Sequence, residues 1–146
     1  LEDIGSAIGS QFNRLGIHMN FAPVIDINTN SKNPIIGNRS FGESKINVSD
    51  KGINFTKGLQ SKNILATAKH FPGHGDTFKD SHLTLPTISF DKKRIKEVEL
   101  YPFKKLIENG LSSVMIRCLR AEYWISYNLY RTHKPGLTNI TLSCYN

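Results

Sequence analysis

Apolar residues recur at Ile4, Ile8, Phe12 and Leu15, the spacing of one helix face, and predict an inward-facing helix over 2–15. Gly16 follows as its stop. The stretch "IHMNFAPVIDI" (17–27) is largely apolar and rich in β-formers, as a buried parallel strand is. A polar loop, "NTNSKNPIIGNRSFGE", separates it from a second helical pattern. Asn47 or Ser49 is expected to cap that helix, with Ile53, Leu59 and Phe55 or Thr56 facing inward. "NILATAKHF" (63–71) predicts a second strand. Asp91 can cap a third helix, whose inner stripe is Ile95, Val98, Phe103, Leu106 and Ile107. Pro102 is expected to kink or split it, since proline lacks the amide proton and crowds the preceding turn. Gly110 ends it, and "LSSVMI" (111–116) reads as a third strand.

The order α-β-α-β-α-β with near-even strand spacing predicts an α/β fold with a parallel sheet under helices. An open doubly wound sheet and a (β/α)8 TIM barrel both fit. A barrel needs about 250 residues, so this chain of 146 would supply roughly three of its eight βα units. No glycine-rich phosphate loop follows a strand, which weakens nucleotide binding. The polar clusters instead follow the first two strands, where such folds keep their chemistry.

Composition narrows the class. The chain is 38% hydrophobic and 21% charged, which suits one globular domain or a piece of one. No run approaches the about 18 apolar residues of a membrane span. The opening "LEDIGSAIGSQF" reads as the middle of a helix-bearing protein, so sequence is expected upstream. The net charge is +7, but lysine and arginine are scattered. The densest cluster, "DKKRIK" (91–96), is mixed with Glu97 and Glu99 and reads as a solvated helix face rather than a nucleic-acid site. Cys118 and Cys144 lie far apart and form no metal clip or disulfide framework. The last thirty residues carry Tyr123, Trp124, Tyr127 and Tyr130 without a clean periodicity, as a small core or a sugar-stacking face.

The densest chemistry is "KHFPGHGDTFKDSHLTLP" (69–86), with three histidines in eighteen residues. His70, His74 and His82 offer metal ligands, but Pro72 and Gly73 break any helix that would align the first two. His74, between glycines, suits a loop-shaping role through its ring, and Asp76 and Thr77 suit a turn. Asp80 and His82 stand two apart, so in extended chain they point to one side. The carboxylate can then fix the ring's tautomer and leave the other nitrogen to move a proton. Ser81 points away and is a poor nucleophile. Lys69 and His70 close the second strand, one facing the site and the other bonding sideways. Lys69 can meet substrate hydroxyls or a carboxylate, or form an internal salt bridge with Asp26. Arg39, in "GNRSFGE", offers a planar donor fork to a diol or carboxylate, or braces its loop.

The motifs "NFAPVIDIN", "NPIIGNRSFGE", "ILATAKHFPGHGDT" with "DSH" and "LP", and "ELYPFKKLIENG" resemble glycoside hydrolase family three, in its bacterial β-N-acetylglucosaminidase branch, over about residues 4–116. That resemblance implies a (β/α)8 barrel and retaining hydrolysis of terminal β-linked N-acetylglucosamine from peptidoglycan or chitin-type fragments. Most of the family uses a distant glutamate as acid/base, whereas this branch uses the Asp-His pair. His82 would then be the general acid/base on a mobile loop, and Asp80 would orient and charge-balance it. Arg39, Lys69 and His70 would hold the sugar. No cofactor, no metal and no nucleic-acid partner is expected. The oligomeric state is left open, and so is the compartment, bacterial cytoplasm or periplasm and cell envelope.

A retaining mechanism pairs the acid/base with a carboxylate nucleophile about 5–5.5 Å away. The family's nucleophilic aspartate lies downstream, beyond Asn146, so the chain alone is expected to be inactive. The family usually has a histidine after the third strand, where this chain reads Arg117, Cys118 and Leu119. Residues 1–116 are therefore read as part of the barrel and 117–146 as a divergent tail of the same domain. The alternative reading is a non-catalytic sugar-binding or degenerate module.

Overall fold

In a computed structural model of the chain, residues 1–30, 33–75 and 92–116 are described, Lys92 by its backbone alone. Helix α1 runs Glu2–Arg14, with Glu2 and Asp3 in its first turn and Arg14 in its last. Those signs complement the partial charges at the two helix ends. Strand β1 is Met19–Asn20, helix α2 is Lys45–Gln60 and strand β2 is Leu65–Phe71. A short turn α3, Lys92–Arg94, leads through a π-type turn, Ile95–Glu99, into helix α4, Tyr101–Glu108, and strand β3 is Ser113–Ile116. Pro102 sits in the first turn of α4, where no intrahelical amide bond is needed, so the expected split occurs there. Gly16 and Gly110 follow α1 and α4 with φ of 70° and 87°, as helix stops.

The strands form a parallel sheet in the order β1-β2-β3. Strand β2 lies between the others and is buried from Ala66 to Ala68 without alternation, as in a sheet covered on both faces. The first strand is less regular than the pattern 17–27 suggests. Pairing continues beyond Asn20 through Thr67 N to Ala22 O at 2.9 Å and a bridge between Val24 and Lys69. Pro23 lies in this line and has no amide proton to donate, so a continuous ladder does not form. The peptides before Pro23, His70 and Pro72 are cis.

The core joins Ile25 of the first strand, Val48 and Leu59 of α2, Ala66 and Ala68 of β2, and Phe103 and Leu106 of α4. The Phe71 and Phe103 rings meet edge to face at 5.3 Å. The third stripe faces inward as expected, with Ile95, Phe103 and Leu106 buried and Val98 and Ile107 packed against them.

Two local expectations are corrected. Helix α1 does not bury Ile4 or Leu15, which are 53% and 73% exposed. Its buried positions are Gly5 and Gly9, with Ile8 and Phe12 half-covered beside them. A side chain at Gly5 would strike the Phe55 carbonyl, and one at Gly58 would strike the Glu2 carbonyl, so α1 and α2 pack backbone to backbone. The cap of α2 is Ser44, whose hydroxyl accepts from Asn47 N at 3.5 Å, rather than Asn47 or Ser49. Ser49 is inside the helix and donates back to Lys45 O at 2.6 Å. Asp91 and residues 117–146, with both cysteines and Trp124, lie outside the described residues. Among the described residues no helix is long and apolar enough to cross a membrane.

Candidate active site

The extended segment that follows β1 runs beside β2 through the Val24–Lys69 bridge and the bond from Ile25 N to Lys69 O, and it brings Asp26 next to His70 near the end of β2. Asp26 is 1% exposed. Its Oδ2 lies 2.7 Å from His70 Nδ1 and accepts from His70 N at 3.1 Å. Its Oδ1 accepts from His74 N at 2.8 Å. A buried carboxylate is tolerated only when such donors replace its lost water. Because a carboxylate accepts, Nδ1 of His70 is the protonated nitrogen. Among the described residues Nε2 makes no bond.

This arrangement corrects the pairing suggested for Lys69. The Asp26 carboxylate engages His70, not Lys69, so His70 is the residue that bonds sideways. Lys69 stays half-buried beside it. Its ammonium is held below the usual lysine range, first by burial and second by the Arg39 charge, with Asp26 opposing.

The turn after β2 is clamped on several sides. His74 is 1% exposed. Its carbonyl accepts from Asn33 Nδ2 at 2.8 Å. Asn33 Oδ1 in turn accepts from Ile35 N at 2.8 Å and Ile36 N at 3.0 Å, an Asx turn that leads into the 3-10 turn Gly37–Arg39. Arg39 is exposed, and its Nη1 donates to Ile35 O at 3.0 Å. Ser40 Oγ donates to Asp26 O at 2.6 Å and ties the same loop back to the strand. Gly75 lies against the Ile27 carbonyl, where any side chain would collide. The loop-shaping role foreseen for His74 is thus carried in these bonds by its backbone groups.

Of the five residues singled out from sequence, the structure brings Lys69 and His70 together at the end of β2. A hydrogen-bonded chain through Asp26, His74 and Asn33 links them to the Arg39 turn. Asp80 and His82 lie outside the described residues, as do Asp76 and Thr77. Among the described residues no three His, Cys, Asp or Glu side chains gather as a metal site. Sequence reasoning missed Asp26 as the partner of His70, and it missed Asn33 and Ser40. The available signals were an aspartate and a histidine closing adjacent parallel strands, and an "NPII" Asx-turn pattern. Chemically, the site offers two cations and one oriented imidazole, a set that suits an oxygen-rich ligand.

Residues 1–124 match the glycosyl hydrolase family 3 N-terminal domain. The chain is 44% identical to Beta-hexosaminidase A of Pseudoalteromonas piscicida, an alignment covering 96% of this chain and 27% of that protein. Among solved structures it resembles a glycoside hydrolase family 3 β-N-acetylglucosaminidase from Paenibacillus sp. str. FPU-7, with a TM-score of 0.80 and 43% identity over 82% of this chain and 23% of that one. It also resembles NagZ from Neisseria gonorrhoeae in complex with N-trifluoroacetyl-D-glucosamine, with a TM-score of 0.75 and 31% identity over 81% of this chain and 34% of that one. The chain thus spans about a quarter to a third of the length of these relatives. The parallel α/β arrangement is that of part of a (β/α)8 barrel.

Proposed function

The chain belongs to glycosyl hydrolase family 3, and from that membership we propose that it forms part of a retaining β-N-acetylglucosaminidase. The complete protein removes terminal β-linked N-acetylglucosamine from peptidoglycan or chitin-type fragments. The observation that carries this reading is the placement of Lys69 and His70 at the carboxyl end of β2, directly ahead of the segment holding Asp80 and His82. The names and the bound N-trifluoroacetyl-D-glucosamine of the relatives support the substrate class.

In this mechanism Lys69, His70 and Arg39 hold the hydroxyls of the terminal sugar. His82 protonates the leaving oxygen and then takes a proton from the incoming acceptor. Histidine suits both steps because its ordinary pKa is near neutrality, about 6.5. Asp80 holds the ring's other nitrogen. The carboxylate nucleophile comes from a later part of the barrel, so residues 1–146 alone have no hydrolase activity.

The test is turnover of aryl β-N-acetylglucosaminides by the complete protein and its His82→Ala variant. The variant should lose most rate on substrates with poor leaving groups, which need protonation. Equal rates on all leaving groups would remove His82 from this role. Sugar binding by the complete protein without turnover would instead favour a non-catalytic module.

A further inference from the structure

Asp26 is one residue with three bonded groups around it, and two of those groups belong to His70. Its Oδ2 is 2.7 Å from His70 Nδ1, and both carboxylate oxygens lie within 3.2 Å of His70 N. The side chain of Asp26 is fully buried and that of His70 is 11% exposed. Asp26 therefore does not reach a ligand itself. It fixes the ring that can.

We propose that Asp26 is a positioning residue that holds His70 in the Nδ1–H form and so presents Nε2 to a sugar hydroxyl. This rests on the reading of His70 as a sugar-binding residue. The physical reason is that imidazole has two distinct nitrogens. Whichever one is tied to a carboxylate keeps its proton, and the other becomes the working atom. With Nδ1 engaged, neutral His70 meets the ligand with an acceptor at Nε2. Reversing the tautomer would turn that acceptor into a donor and leave the ring mismatched to a hydroxyl already donating toward it. Asp26 also holds the backbone of both His70 and His74. A purely structural role is therefore the competing explanation.

Two measurements on the complete protein separate them. In the unaltered protein, side-chain nitrogen NMR should find Nδ1 of His70 protonated at neutral pH. An unprotonated Nδ1 overturns the proposal without any variant. Asp26→Asn should shift the proton to Nε2, because the carboxamide can donate to Nδ1. Its kcat/KM on an aryl β-N-acetylglucosaminide should fall about 10–100-fold, the range known for partners that orient metal-bound histidines. The decisive comparison is the same change in a His70→Ala background. If Asp26 acts through His70, Asp26→Asn adds little there. A full additional loss in that background assigns Asp26 to loop support alone and overturns the proposal. If the unaltered protein turns over no such substrate, the enzymatic reading fails, while the tautomer measurement still decides the role of Asp26.

Discussion

The amide of His74 donates to Oδ1 of Asp26 at 2.8 Å, joining residues 48 positions apart through a wholly buried carboxylate. Removing that carboxylate leaves the amides of His70 and His74 and the Nδ1–H of His70 without an acceptor. An unsatisfied buried donor costs about 1–3 kcal/mol, and three are left here. Asp26→Ala is therefore expected to lower the unfolding free energy of the complete protein by at least about 3 kcal/mol. Asp26→Asn keeps one acceptor and should lose less. Urea unfolding monitored by circular dichroism checks the order, and equal losses for the two variants would contradict it.

Gly58 tests the packing of α1 on α2. Glycine inside a helix is normally about 1 kcal/mol worse than alanine, so Gly58→Ala would stabilise an exposed helix. Here a methyl group collides with the Glu2 carbonyl. The two helices must separate, and overpacking of this kind costs about 1–3 kcal/mol. The expected sign is thus reversed: Gly58→Ala lowers the thermal midpoint, whereas Lys57→Ala at the neighbouring exposed position leaves it nearly unchanged. A rise in the midpoint for Gly58→Ala would show that the helices are not in backbone contact.

These two sites also mark the limit of what the sequence made legible. Strand β2 was readable because both its faces are buried, which forces a continuous apolar run ending at Lys69. The inner stripe from Ile95 to Ile107 was readable for a different reason: one buried face of a helical segment leaves apolar residues at helical spacing between exposed charged ones. The contact face of α1 was not, because glycines carry no hydrophobic signal and Ile4 and Leu15 drew the stripe elsewhere. The Ser44 cap was passed over for later polar residues, since Asn47 supplies a donated amide and not the cap itself. Asp26 stood out as a strand-end acid, but 44 residues separate it from His70. Strand register alone decides which neighbour it meets, and that register is not written in either segment.

Lys69 gives a pH prediction. Its ammonium is held below the 10.5 usual for lysine, chiefly by burial and next by Arg39. The unfolded chain therefore binds the Lys69 proton more readily than the folded one. Between the lowered value and 10.5, the contribution of Lys69 to stability rises with pH, and below that window its full penalty persists. Carbon NMR of labelled lysine should show Lys69 titrating below the exposed lysines. Arg39→Gln should raise its midpoint while leaving it under 10.5, because burial remains. A midpoint unmoved by Arg39→Gln would contradict the assigned cause.

Gly75 tests whether the clamped turn matters to catalysis beyond stability. Its backbone lies against the Ile27 carbonyl, so Gly75→Ala must push the turn away from the strand. That movement strains the bond from His74 N to Asp26 and the one from Asn33 to His74 O. The turn leads directly into the segment carrying Asp80 and His82. A displacement of about 1 Å at a proton-transfer group can cost about 100-fold in rate. Gly75→Ala in the complete protein is therefore expected to lower kcat by about 10–100-fold on aryl β-N-acetylglucosaminides with poor leaving groups. With good leaving groups, which need little protonation, the loss should be smaller. Equal losses across the series would mean that the turn serves sugar binding alone, because a binding defect does not depend on the leaving group's basicity.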